Sequence, residues 1–204
     1  MNTGSGFWID TTSGNGGNKP FFYGVQDALT DDLITQLDHF VESEHLLQKG
    51  KVELEVDEPQ DLLDQHRITE IAWIATHTNR EVYNKLTEVI HFVNTNYFKF
   101  NIAYIETLQY SVYPPTGHYR CHTDASLKGV NGFGRKISFS IGLNDPSEYE
   151  DGELEIWTGG DNFKCKLDKG GALFFPSWIP HQVHPVTKGT RKSLVGWVHG
   201  PDFI

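Results

Sequence analysis

Two hydrophobic periodicities divide the chain near residue 100. Before it, apolar positions recur at helical spacing. Leu33, Ile34, Leu37, Phe40 and Val41 form one stripe, which predicts a first helix from about Asp31 to Glu44. Thr30 is placed to cap it, and Asp31 and Asp32 suit the positive end of the helix dipole. Val82, Tyr83, Leu86, Val89, Ile90 and Val93 form a second stripe, which predicts a helix from Asn79 to about Tyr97. Thr78 and Glu81 have the spacing of a capping box at its start. Both stripes suit packing against a sheet.

After residue 103 the period falls to two. Ile105, Thr107, Gln109, Ser111 and Tyr113 share one face of a strand over 103–113. Further strands are expected at 136–144, 152–157, 163–167, 172–175, 181–186 and 192–199. Short strands separated by turn residues predict a sandwich or barrel, and a jelly roll with two helices against one sheet fits the order of elements. In 136–144, Ile137, Phe139, Ile141 and Leu143 face one way and Ser138, Ser140 and Gly142 the other. The apolar side suits the helices, and the small polar side leaves space for a bound molecule. A two-sided surface strand is the other reading of this pattern. The Gly-rich residues 1–20 surround Phe7-Trp8-Ile9 and predict a short edge strand with a loop. Residues 50–66 are charged and irregular, an excursion expected near the site. We expect one domain over 1–204, with 1–102 supporting a core at 103–200.

Composition narrows the partners. A net charge of -10 disfavours sustained contact with a polyphosphate backbone, so no nucleic-acid partner is expected. The N-terminus carries no basic apolar signal, and no apolar run approaches membrane-spanning length. The only two cysteines, Cys121 and Cys165, make no Cys-x-x-Cys motif, so a disulfide framework is not expected. A cytoplasmic protein without a membrane partner, monomeric or weakly dimeric, is the resulting expectation.

Candidate chemistry lies in the strand-rich part. His122 and Asp124 stand one residue apart, just after a strand and a turn marked by Pro114, Pro115 and Gly117. With ten His and fourteen Asp in the chain, about 0.7 such pairs arise by chance, so the pair gains weight only from its surroundings. On an extended segment both side chains point the same way and can hold one ion. His181 and His184 follow the buried run Ala172-Leu173-Phe174-Phe175, and their odd spacing sends them to opposite faces. Spacing does not choose between them. Two imidazoles and one carboxylate make a facial donor set for a ferrous ion with positions left open. Arg191, ten residues beyond His181, is either an edge charge or a clamp for a dianion.

These residues stand in an ordered series of motifs. Leu108-Gln109-Tyr110-Ser111-Val112-Tyr113 leads through Gly117-His118-Tyr119-Arg120-Cys121-His122-Thr123-Asp124. Arg135-Lys136-Ile137-Ser138 runs to Leu143-Asn144 and then to Asp151-Gly152-Glu153-Leu154. Gly170-Gly171-Ala172-Leu173-Phe174-Phe175-Pro176-Ser177 precedes His181-x-Val183-x-Pro185-Val186-Thr187-x-Gly189-x-Arg191. The series resembles the Fe(II)/2-oxoglutarate dioxygenases of the prolyl/lysyl hydroxylase type, including prolyl 4-hydroxylase-like and PKHD-type enzymes. Asp151 stands where that family has the first glycine of a pair.

The resemblance implies a double-stranded β-helix core, a jelly roll of the cupin kind. It implies His122, Asp124 and His181 as ligands of Fe(II), which leaves His184 outside the metal set. It assigns Arg191 to the far carboxylate of 2-oxoglutarate, with Tyr113, Ser138 and Ser140 beside the co-substrate. O2 is the second co-substrate, ascorbate an auxiliary reductant, and the products are succinate, CO2 and a hydroxylated substrate. A prolyl or lysyl residue in a peptide or protein is the first substrate class implied, with Tyr119, Arg120 and Trp178 as candidate contacts. Trp73, Trp157 and Trp178 suit either a peptide groove or packing. A free amino acid or other small molecule is the second class. A non-catalytic metal-binding jelly roll is a third reading, which the intact triad and Arg191 count against. The nucleic-acid-repairing branch of the superfamily has a second arginine after the distal histidine, and residues 192–200 hold none.

Overall fold

Residues 21–50, 65–125, 132–160 and 162–201 are described by the computed structural model. The expected edge strand and Gly-rich loop of 1–20, and most of the 50–66 excursion, lie outside the described residues. The N-terminal half supplies β1 (Tyr23–Val25), α1 (Asp31–Ser43), β2 (Gln48–Lys49), β3 (Arg67–Ile68), β4 (Glu70–Ile74) and α2 (Arg80–Val93). A single turn of π-helix, Asn94–Phe98, continues α2. Then come β5 (Tyr104–Ile105), β6 (Leu108–Tyr113), β7 (His118–His122) and β8 (Phe133–Gly142). The chain closes with β9 (Tyr149–Asp151), β10 (Leu154–Ile156), β11 (Phe163–Cys165), β12 (Ala172–Pro176), β13 (His181–Val183), β14 (Val186–Gly189) and β15 (Arg191–Pro201).

Both helices form where the apolar stripes require. Thr30 Oγ1 accepts from Leu33 N at 3.4 Å, the expected cap of α1. Ile34, Leu37 and Val41 are buried on the large sheet, each contributing about 1.5–3 kcal/mol. The capping box of the second helix does not form. Asn79 is the N-cap without a side-chain cap bond, and the Thr78 hydroxyl donates instead to Ala75 O at 2.8 Å. The hydroxyl is thus turned back toward Ala75, and its oxygen accepts from Asn79 Nδ2 at 3.1 Å rather than from a helix N–H. The α-helix ends at Val93, and Lys99 in the left-handed region (φ 57°) ends the π turn.

The strands make two main sheets, an open sandwich rather than a closed barrel. The larger runs β1-β12-β8-β15-β6-β4-β2, with β5 also paired to β15. The smaller runs β11-β10-β13-β7-β3, and β14 pairs with β9 apart from both. Helices cover the outer face of the large sheet. Ile137, Phe139 and Ile141 of β8, Leu108 and Tyr110 of β6, and Leu194 of β15 join the helix stripes in one core. A second core, including Tyr113, Leu154, Leu173, Phe175 and Val183, fills the space between the sheets. The inward side of the large sheet is polar beside it: Gln109, Ser111, Ser138, Ser140, Arg191 and Ser193 are buried there. The period-two alternation thus separates a dry layer from a polar interior.

Three expected strands are cut. The 103–113 segment divides at Glu106 and Thr107, where the Glu106 N–H donates to Trp197 O at 2.9 Å. The 152–157 strand begins later, because Gly152 (φ 71°) turns the chain between β9 and β10. The 181–186 strand stops at Val183 and resumes at Val186, after His184 and Pro185.

Candidate metal centre

Strand pairing assembles the three candidate ligands. β13 lies beside β7 in the small sheet, and His181 and His122 are directly opposed in register. Asp124 lies two residues past His122, where the chain leaves the strand. Its N–H and that of Ala125 both donate to Ser177 O at 2.9 Å, which holds the strand end against the loop before β13. His122 Nε2 is 3.7 Å from Asp124 Oδ1, and His181 Nε2 is 3.4 Å from Asp124 Oδ2. The three donor atoms lie within 4.8 Å of one another, the only such group of three among the described residues. His184 faces the other way, with Nε2 2.6 Å from Glu155 Oε2. The odd spacing acts as the strand geometry requires.

Hydrogen bonds set the tautomers. His122 Nδ1–H donates to Arg120 O at 2.7 Å and His181 Nδ1–H to Ile179 O at 3.0 Å. Each leaves an Nε2 lone pair directed at the shared site. Burial, and then the neighbouring His181, push the His122 imidazole down to about 4, so it is neutral at ordinary pH. Burial alone would raise the Asp124 carboxyl. His181, His122, Ser138 and the Trp197 indole outweigh it and hold the group ionised. The indole N–H makes no hydrogen bond of good geometry, so it acts on Asp124 as a nearby dipole. Two imidazole nitrogens and one carboxylate, closely spaced on one side, fit a divalent cation with open positions.

A cavity of about 360 Å³ opens beside this group. Arg191, only 4 % exposed, lines it. Its Cζ stands 5.0 Å from the centre of the Tyr113 ring, and its Nη1 donates to Ser193 Oγ at 3.1 Å. Burial raises the Tyr149 phenol, and the Arg191 guanidinium, which hydrogen-bonds it, pulls it back. No carboxylate lies within 4.0 Å of Arg191 among the described residues. A buried cation without a counter-ion is costly, and an anionic ligand relieves that cost. Leu154, Phe175 and Val183 line the same cavity with apolar surface. The arrangement suits a small dicarboxylate, with one end at the cation and the other at the metal donors.

Of the remaining sequence candidates, Tyr113, Ser140 and Tyr119 line the cavity. Ser138 does not; its hydroxyl bonds Ser177 Oγ at 2.9 Å and stands beside Asp124, where it supports a candidate ligand rather than the co-substrate. Arg120 is exposed and outside the cavity wall. Trp178 is also outside it, 40 % exposed and packed near Phe100 at 5.4 Å. Of the three tryptophans weighed for a groove, Trp73 alone reaches the cavity.

Other lining residues were not named as site residues from sequence. Arg135 donates to Glu106 through Nε at 2.8 Å and Nη2 at 2.7 Å, and its Cζ lies 4.0 Å from the Trp197 ring centre. His199 Nε2 is 2.8 Å from the same carboxylate. Burial favours a raised Glu106 pKa, but the bonds from Arg135 and His199 hold it below the usual range. Ser193, Val195 and Trp197 follow Arg191 at period two on β15, a signal present in the sequence. Glu106 carries no local signal, since strand pairing alone brings it to the cavity.

Residues 108–199 match the family model described as the 2OG-Fe(II) oxygenase superfamily. The match spans 92 of the chain's 204 residues. The chain is also similar to a PKHD-type hydroxylase of Crocosphaera subtropica, 41% identical over 97 residues, covering 47% of this chain and 44% of that protein. The chain thus spans less than half the length of the curated relatives it matches. Its fold is similar to a Pseudomonas putida prolyl-4-hydroxylase, with a TM-score of 0.68 at 19% identity over 89% of this chain and 94% of the other. It is similar too to a Trichoplax adhaerens prolyl hydroxylase solved with a hypoxia inducible factor oxygen degradation domain peptide. That TM-score is 0.69 at 18% identity, over 87% and 83% of the two chains. At such identity these structures speak for the fold alone, the jelly-roll core.

Proposed function

We propose that the protein is an Fe(II)- and 2-oxoglutarate-dependent dioxygenase that hydroxylates a C–H bond of a prolyl or lysyl residue in a peptide or protein. His122, Asp124 and His181 would hold the iron, and Arg191 the far carboxylate of 2-oxoglutarate. The iron would supply O2 activation coupled to oxidative decarboxylation: one oxygen atom enters succinate, CO2 leaves, and the other becomes the substrate hydroxyl. Ascorbate would serve as auxiliary reductant. The observation that carries this reading is the pairing, within one cavity, of an open two-His, one-Asp set with a buried arginine that has no carboxylate partner among the described residues.

The chain's own groups divide the remaining work. The Nδ1–H bonds of both histidines leave their Nε2 atoms facing the shared site. Asp124 lowers the charge of the centre. Leu154, Phe175 and Val183 exclude water from the buried carboxylate-binding end. Trp73, Trp197 and the Arg135–Glu106 pair at the cavity wall support recognition of a peptide, through flat apolar faces and hydrogen-bonding groups for its main chain. The related Trichoplax enzyme with its bound peptide adds to that choice. The paired opposite charges of Arg135 and Glu106 also favour a second reading, a free amino acid whose carboxylate and ammonium would be complementary to them.

We further propose one domain, with residues 1–102 supporting the core at 103–200, acting in the cytoplasm. Two free thiols suit a reducing compartment. Among the described residues no helix is long and apolar enough to cross a membrane. The deciding experiment incubates the protein with Fe(II), 2-oxoglutarate and ascorbate against a peptide library and an amino-acid library. A gain of one oxygen in a peptide supports the first reading, and one confined to free amino acids supports the second. Ferrous-dependent binding without 2-oxoglutarate turnover in either library would leave only a metal-binding module.

A further inference from the structure

The edge of the small sheet holds a chain of contacts that the proposed reaction does not use. β3 pairs with β7, and Arg67 is the Cα partner of Tyr119. The Arg67 Cζ lies 4.6 Å from the Tyr119 ring centre. The Tyr119 ring in turn stacks on the His122 imidazole, with centres 3.7 Å apart and planes 19° from parallel. Arg67 is 5% exposed, so the contact is largely desolvated, where cation–π attraction is strongest. The backbone makes room for it: a Cβ at Gly50 would stand 3.1 Å from Arg67 Nε.

His122 depends on such support. Arg120, Cys121 and Thr123 around it are exposed, so packing of the strand end does not fix the imidazole. Its Nδ1–H bond to Arg120 O sets a pivot but leaves rotation about that bond. The ring plane is then determined by its neighbours, Tyr119 on the one hand and His181, 4.3 Å away at 52°, on the other. We propose that Arg67 is a positioning residue for the metal ligand His122, acting through the ring of Tyr119. The proposal rests on the reading of His122 as a ligand. The guanidinium holds the phenol ring, and the phenol ring holds the imidazole at the angle where its Nε2 faces Asp124 and His181.

The test uses the full chain stripped of metal and titrated with Co(II) alone, read by visible d–d absorption, with the urea midpoint measured on each variant. Arg67→Met and Tyr119→Leu should each weaken Co(II) binding by about 10–100-fold, the range for groups that orient a ligand. The double variant should bind no more weakly than Tyr119→Leu alone, because both changes break one chain of contacts. Arg67→Gln, which keeps a planar polar head without charge, should lose as much as Arg67→Met. Arg67→Lys and Tyr119→Phe, which keep the cation and the ring, should bind close to wild type. Wild-type affinity in Arg67→Met or Arg67→Gln overturns the proposal. So do losses that multiply in the double variant, or losses that follow the urea midpoint and are shared by Arg67→Lys. A wild-type chain that takes up no Co(II) overturns the metal centre itself, and the proposal with it.

Discussion

Replacing Arg191 with methionine separates two consequences that a merely structural arginine would not separate. The guanidinium is 4% exposed and is hydrogen-bonded only to neutral groups, Ser193 and Tyr149, among the described residues. Removing one member of a buried, hydrogen-bonded charge pair costs about 2–5 kcal/mol of binding. A value near the middle, about 3 kcal/mol, is on the order of a hundredfold in affinity. The KM for 2-oxoglutarate, followed by succinate formation, should rise by about that factor. The ligand-free protein behaves differently. Methionine fills similar volume and removes a buried charge without a counter-ion, so its urea midpoint should stay level or rise. Arg191→Lys keeps the charge but loses the paired donors, and its KM should rise about tenfold. An unchanged KM in Arg191→Met, with a clear fall in the urea midpoint, would show that Arg191 holds the fold rather than the co-substrate.

Other outcomes follow from the same geometry. Asp124→Ala and His122→Ala should each abolish succinate formation, whereas His184→Ala, whose ring faces Glu155, should retain it; equal loss in His184→Ala contradicts the choice of ligand. Glu106→Gln bears on pH. The Glu106 pKa is lowered from its ordinary 4.5, so its contribution to stability is complete above that value and is lost as pH falls through the folded value. Urea midpoints measured down the acid limb should therefore decline less steeply in Glu106→Gln than in wild type, and equal slopes count against the Arg135–Glu106–His199 network. Gly196→Ala tests packing. An added Cβ would stand 2.6 Å from Leu108 Cδ2 and crowd the Phe139 ring, so urea unfolding should show a loss of about 1–3 kcal/mol.

The legible and illegible parts of the chain differ in physical kind. Alternation on β8 and the stripes of α1 and α2 report burial directly, and each sorted its residues to the side found. The opposite facings of His181 and His184 follow from strand period alone, although only the ordered motifs favoured His181 as the ligand. What sequence left out depends on pairing between distant segments. Arg67 reaches Tyr119 because β3 joins β7, and Glu106 reaches Arg135 because the chain breaks between β5 and β6. The expected cap at Thr78 failed to a competing bond one turn back, to Ala75, which spacing does not reveal. Trp178 was a reasonable candidate by type, and its position just past β12 turns it toward Phe100 instead of the cavity.

In the proposed function, His122, Asp124 and His181 hold an iron that consumes 2-oxoglutarate. The most direct test is succinate formation from 2-oxoglutarate under air, with and without Fe(II), in wild type and in His181→Ala. Wild type should turn over only when Fe(II) is present, and His181→Ala under no condition. Equal succinate formation in His181→Ala, or wild-type turnover indifferent to Fe(II), would contradict it.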